Sequence, residues 1–221
     1  MKQFTLTICS AAILLFSCNN DAEKTTEAKA DTTKMTEQTT AKETTPPAAM
    51  PDSVTMMKNW QSYMTPGDVH KMMASWDGTW NTESTSWMAP GAPPMVSKGT
   101  SVNKMALGGR YQISNHKGMM MGQPFEGMSM TGYDNAKKMF VSTWIDNMGT
   151  GIMKMEGPWD EASKSMTLTG KCVDPMMGNG KEMELKEVFK IVDDKTQMME
   201  MYGPGPDGKE FKMMELKFTK K

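Results

Sequence analysis

Residues 116–127, HKGMMMGQPFEG, set an imidazole and three adjacent thioethers between glycines, a soft donor set of the kind that binds Cu(I) or Ag(I). Strand geometry argues against a preformed cage. Neighbouring side chains on an extended chain point to opposite faces, so at most Met119 and Met121 converge, and His116 shares their face only if the chain turns at Gly118. The chain holds 29 Met, and after residue 50 it has only four Leu, at 107, 168, 185 and 216. Met stands at apolar-phase positions such as 72, 73, 183, 199, 201 and 214, where it fills volume that Leu, Ile and Val usually fill. Packing is therefore the favoured role of these residues, with soft-metal or oxidant handling as the alternative.

Other chemistry is sparse. His70 and His116 are too few for most zinc sites unless carboxylates complete the set. A haem would have to use one of them, and His70 is expected to face solvent because it lies opposite the apolar stripe of its helix. Asp174 with Asp193 and Asp194 matches no calcium loop and reads as turn acids. Glu126 with Asp146 would be the acid and base of a hydrolase if they shared a cavity. No nucleophile elbow, phosphate loop, dinucleotide fingerprint or His-Glu-x-x-His occurs. The sequence thus assigns no catalytic residue, no metal and no cofactor.

Residues 1–17, MKQFTLTICSAAILLFS, carry one Lys, an apolar run from Ala11 to Phe16 and a small residue before Cys18, the layout of a secretory signal. Leu15-Phe16-Ser17-Cys18 resembles the bacterial lipobox, which implies acylation at Cys18 and a bilayer as partner. Acyl chains at about 0.8 kcal/mol per buried methylene would hold the protein at a membrane surface without a spanning helix. Asn19, rather than Asp, after the cysteine resembles lipoproteins passed to the outer membrane, so a lipid-anchored cell-envelope address is expected. With Cys9 removed and Cys18 acylated, Cys172 has no disulfide partner and reads as a small core residue. Residues 18–50, rich in Thr, Lys, Glu and Ala, cannot bury enough apolar surface to offset their ordering entropy and are expected to form a flexible tether.

Residues 51–77 show helical spacing. Val54, Met57, Trp60 and Met64 form one stripe after a cap at Asp52 or Ser53; Val69, Met72, Met73 and Trp76 form a second after an N-cap at Thr65 and Pro66 at the first helical position. Beyond Gly78 the period changes to two. In Glu182–Val192 the residues Met183, Leu185, Phe189 and Ile191 share one face, with Glu187 the exception. A phase change between Met213 and Met214 predicts a bulge. Turn signals such as Gly108-Gly109, Asp134-Asn135 and Pro206-Asp207-Gly208 delimit about ten short strands over 78–221, which predicts an all-β, up-and-down antiparallel barrel or a sandwich. Charge over that region is balanced, with no basic stripe, so no nucleic-acid partner is expected.

The ordered set Pro66-Gly67, His70, Gly78-Thr79-Trp80, Leu107-Gly108-Gly109-Arg110-Tyr111, Gly122-Gln123-Pro124-Phe125-Glu126-Gly127, Gly132-Tyr133-Asp134-Asn135 and Thr143-Trp144-Ile145-Asp146 resembles a bacterial family known only as domain of unknown function 1579. The resemblance implies a lipocalin-like β-barrel entered by a short helix, and it carries over no catalytic residue. In such barrels an arginine often packs on the first-strand tryptophan. Arg110, the sole arginine of the chain, and Trp80 are the corresponding candidates for structural closure. The expected function is binding of a small apolar ligand, with Phe125, Tyr133 and Trp144 as candidate lining.

Overall fold

The computed structural model describes residues 49–221; the expected signal segment, Cys18 and all but the last two tether residues lie outside them. Two helices, α1 (Ser53–Met64) and α2 (Asp68–Ser75), precede the strands β1 (Gly78–Ser86), β2 (Met95–Ala106), β3 (Tyr111–Met120), β4 (Gln123–Asp134), β5 (Met139–Asp146), β6 (Met153–Gly157), β7 (Trp159–Asp160), β8 (Ser165–Val173), β9 (Glu182–Asp193), β10 (Thr196–Pro204) and β11 (Glu210–Lys220). Adjacent strands pair antiparallel, β1 pairs with β11, and β6 pairs with β8, so ten of the strands close into a barrel with the two-residue β7 at the seam. Closure leaves no long unpaired edge, which is how an all-antiparallel wall of this size avoids pairing with other chains. The all-β up-and-down barrel that the alternation allowed, in the lipocalin-like form that the family resemblance implied, is the one observed. The sandwich is excluded by the β6–β8 pairing.

Side chains alternate as the period requires. Trp80 and Thr82 point inward on β1 while Asn81 and Glu83 point out. On β11, Met214 pairs with Met201 but Lys212 pairs with Tyr202, which leaves Met213 as an extra residue. This is the expected bulge, and it lets both Met213 and Met214 pack toward the interior. The methionine run ends a strand: Met119 points out, Met120 points in, and Met121 with Gly122 forms the hairpin turn at φ 52 and 76. Two consecutive left-handed residues are what a two-residue turn between twisted strands demands.

Helix α2 closes one end of the barrel. Its fully buried Met73 and nearly buried Trp76 insert among Phe140, Met155, Met166 and Leu168, a burial that stabilises by about 2 kcal/mol for each large side chain. A helix C-terminus leaves carbonyls without partners, and the barrel supplies donors for them. Gln112 Nε2 donates to Met73 O at 2.9 Å, Lys220 Nζ to Ser75 O at 3.0 Å, and Trp80 Nε1 to Trp76 O at 3.0 Å.

Three local expectations change here. The α2 cap is Gly67, not Thr65, and its backbone N–H donates to His70 Nδ1 at 3.1 Å. His70 is 5% exposed rather than solvent-facing, because α2 lies across the barrel with a second flank against Tyr133. The α1 stripe, by contrast, stays exposed, with Val54 at 77% and Trp60 at 61%. Only the end of that helix is pinned: Asn135 Nδ2 donates to Tyr63 O at 3.0 Å and Thr65 O at 2.9 Å, and Arg110 Nη2 to Met64 O at 2.8 Å.

Candidate functional site

The interior wall has two unlike halves. From β5 through β10 the inward positions include Phe140, Met155, Met166, Leu168, Leu185 and Met199, all buried. From β1 to β4, apart from Trp80 and a few rings, many are short and polar: Thr82 and Ser84, then Ser97 and Ser101, Ser114, and Ser129. Register sets several of them beside one another or beside glycine, since Ser84 pairs with Ser97, Thr82 with Gly99, Gly99 with Gly118, and Ser114 with Ser129. Small side chains fill less of a ten-stranded barrel than its diameter provides. Ser84, Ser97, Ser129 and Thr131 accordingly remain half-buried although they point inward.

Over this small-residue wall lies a group of rings. Phe125 and Trp144 stack at 6.2 Å between centroids and 19° between planes; His116 meets Trp144 edge-on at 5.1 Å and Phe218 at 6.3 Å. Gly127 is needed beneath them, because a Cβ there would be driven into the Trp144 ring. The indole Nε1 donates to Asp146 Oδ2 at 2.7 Å, and Asp146 Oδ1 accepts from Met148 N at 2.9 Å, which fixes the orientation of the ring. Desolvation alone pulls the His116 pKa down to about 4, so the imidazole is neutral at physiological pH.

Glu187 points inward from β9, paired with Leu168 on β8 and Met201 on β10. Burial pushes its pKa up to about 7, with no hydrogen bond or ion pair acting on it. The residue is half-buried, and its register with Leu168 and Met201 turns the side chain into the barrel. The alternation marked this residue in the sequence as out of place; nothing in the sequence marked its enclosure.

The structure brings Phe125 and Trp144 together and separates Tyr133 from them. Tyr133 packs against Phe140 at 5.2 Å and His70 at 6.0 Å beneath α2, eight residues and roughly 26 Å along β4 from Phe125. Arg110 does not cover Trp80. Its guanidinium is held by Met64 O and Leu107 O, and Lys220 Nζ lies over the Trp80 ring at 5.3 Å, because strand pairing sets Lys220 directly opposite Trp80. Both residues still fasten the helices to the barrel, through partners the sequence did not disclose.

The alternative chemistries fare poorly in the geometry. Glu126 faces outward, paired with Lys117 at 2.9 Å, whereas Asp146 faces inward, so the two carboxylates sit on opposite sides of the wall. Asp174 and Asp193 accept backbone N–H groups of Met176 and Lys195, the duty of turn acids. Among the described residues no group of three His, Cys, Asp or Glu is placed to hold a metal. Cys172 points inward opposite Met183, and burial raises its thiol pKa, as do Asp174 and Glu182, which keeps it unreactive. An outer groove of about 830 Å³ runs along β8 and β9, but its charges are already matched, Lys171 with Glu184 and Lys186 with Glu210.

A family model described as protein of unknown function (DUF1579) matches residues 65–220. No curated protein matches the chain. Among solved structures, Rv2717c from M. tuberculosis is similar at a TM-score of 0.54 and 10% identity, covering 71% of this chain and 99% of that one. A redesigned β-barrel is similar at a TM-score of 0.35 and 12% identity over 67% of this chain and 94% of its own, too low to carry an argument. At such identities the first likeness bears on fold alone.

Proposed function

Since the chain belongs to the DUF1579 family, described as of unknown function, no activity comes from its relatives, and we propose from geometry that it is a binding protein. Its barrel takes a small, mostly apolar molecule between the ring group and the small-residue wall. The observation that carries this reading is the inward, half-buried state of Phe125, His116 and Trp144 above Gly127 and Ser129. Rings left partly uncovered inside a closed wall offer apolar area that a ligand would remove from water, worth about 25 cal/mol per Å². Acylation at Cys18 completes the proposal: the barrel works at a lipid surface of the cell envelope, on a tether that gives it reach.

Two experiments test this. Detergent-free protein incubated with cell-envelope extract should retain a small molecule by native mass spectrometry, and Ser129→Phe, which fills the space over the wall, should lose it while remaining folded. Retention undiminished in Ser129→Phe would refute the interior as the site. Metabolic labelling with an alkynyl fatty acid should mark the wild type and not Cys18→Ser; equal labelling would refute the anchor.

A second reading draws on the outward methionines. Met121 is 69% and Met176 77% exposed, so these thioethers are open to peroxide or hypochlorous acid as sacrificial groups. Peptide mapping after mild oxidation should find sulfoxide at both before Met155 and Met166; uniform oxidation would remove this reading.

A further inference from the structure

Resting on that binding function, we propose that Glu187 is the anchor for a cationic head group, and that the ligand is a monocationic amphiphile: an apolar body ending in an amine. Glu187 stands where the alternation of β9 calls for an apolar residue, with Leu185 and Phe189 as its same-face neighbours. It has no hydrogen-bond or ion-pair partner among the described residues, and its register with Leu168 and Met201 turns the side chain into the barrel. An enclosed acid without a partner costs stability, and a ligand donor is the group that would offset the cost.

The charge of the interior selects among donors. The cations near the closed end are engaged: Lys220 holds Ser75 O and covers Trp80, and Arg110 holds Met64 O and Leu107 O. The second inward acid, Asp146, holds the Trp144 indole, and His116 is neutral. An organic anion would therefore meet acids and, among the described residues, no free inward cation. A neutral alcohol would gain an ordinary hydrogen bond, whereas an ammonium would gain a charge-assisted one of roughly twice the strength. The apolar body would run from Glu187 along the inward face, where Leu185 and Phe189 flank the acid and the Phe125 and Trp144 rings stand on β4 and β5.

Proton linkage gives the site a signature. When an ammonium binds to the neutral acid, the Glu187 proton passes to solvent and a carboxylate–ammonium pair remains. Amine affinity should rise with pH toward about 7, where burial places the Glu187 pKa. Nothing on the flanking strands competes for that role. β8 presents Met166, Leu168 and Gly170 and β10 presents Met199, Met201 and Gly203; the titratable Cys172 lies two pairs along β8, and Asp146 and His116 stand on the walls formed by β5 and β3.

The test is calorimetric titration of the full chain with three probes of equal length: decylamine, 1-decanol and decanoate. Decylamine should bind at least about tenfold more tightly than 1-decanol, with decanoate weakest, and its affinity should fall toward about tenfold per pH unit below pH 7. Glu187→Gln should abolish both the amine preference and the pH dependence while leaving 1-decanol binding in place, and Glu187→Asp should keep the preference. Equal binding of amine and alcohol, a pH-independent amine affinity, or a preference that survives in Glu187→Gln would overturn the anchor and leave the binding function standing. Failure of all three probes to bind would overturn both.

Discussion

The two halves of the barrel wall obey the same alternation and use it for opposite ends. From β5 through β10, inward residues are large and closely packed: Phe140 alone meets Trp76, Tyr133 and Trp159 within 6.3 Å between ring centroids. From β1 to β4, apart from Trp80 and the rings of His116, Phe125 and Tyr133, many inward residues are short or polar, and some of the buried ones are tied into hydrogen bonds. Ser101 Oγ donates to Asn103 Oδ1 at 2.6 Å, and Asn103 Nδ2 to Trp76 O at 3.4 Å. One half supplies the stability of the fold, and the other presents short, half-buried side chains and fixed polar groups. A barrel can leave part of its interior unfilled only if the rest buries enough apolar area to hold it closed.

Truncation should divide the halves most sharply. Phe140→Ala is expected to cost about 3–5 kcal/mol in urea unfolding, and a loss below about 1 kcal/mol would mean that the packed half is not the core. Next comes His116, whose folded pKa near 4 lies below its ordinary 6.5. The unfolded chain takes up this proton first, so the contribution is intact above pH 6.5 and is lost as pH falls toward 4, on the order of 2–3 kcal/mol. Histidine NMR should show His116 titrating near 4, and His116→Gln should flatten that part of the stability profile; a midpoint above 6 would place the imidazole in solvent. Glu187 has the opposite sign. Its raised pKa lets the folded state keep a proton that the unfolded chain has already released, so ionisation destabilises the fold as pH rises from about 4.5 to 7. Glu187→Gln should therefore raise Tm at pH 8, by the equivalent of about 1–3 kcal/mol, and change nothing at pH 4. The smallest effect belongs to Ser129→Ala, within about 0.5 kcal/mol; a larger loss would show that the small-residue wall is packed after all.

The barrel was legible because its signals are local. Strand positions follow from alternation, hairpins from Gly, Asn and Asp, and the bulge at Met213 from a phase change within three residues. The division of the wall was not legible. Along β2 and β3 both faces are polar, so Ser101 inside and Lys104 outside look alike until pairing fixes which face turns in. Methionine divides for the same reason: buried thioethers lie largely in the packed half, while Met119, Met121, Met128 and Met130 are exposed. His70 was misplaced because a helical wheel allows one covered face, and α2 has two. Phe125, Tyr133 and Trp144 all point inward, yet only tertiary distance shows that Tyr133 belongs to the closed end.

By itself the sequence determined where the chain must be extended, where it turns and where it is helical, because these depend on neighbours a few residues apart. Only the tertiary structure decided that β6 meets β8, that Lys220 rather than Arg110 lies over Trp80, and that Glu187 is enclosed without a partner. Those outcomes depend on contacts between residues far apart in the chain, and they exist only once the wall has closed on itself.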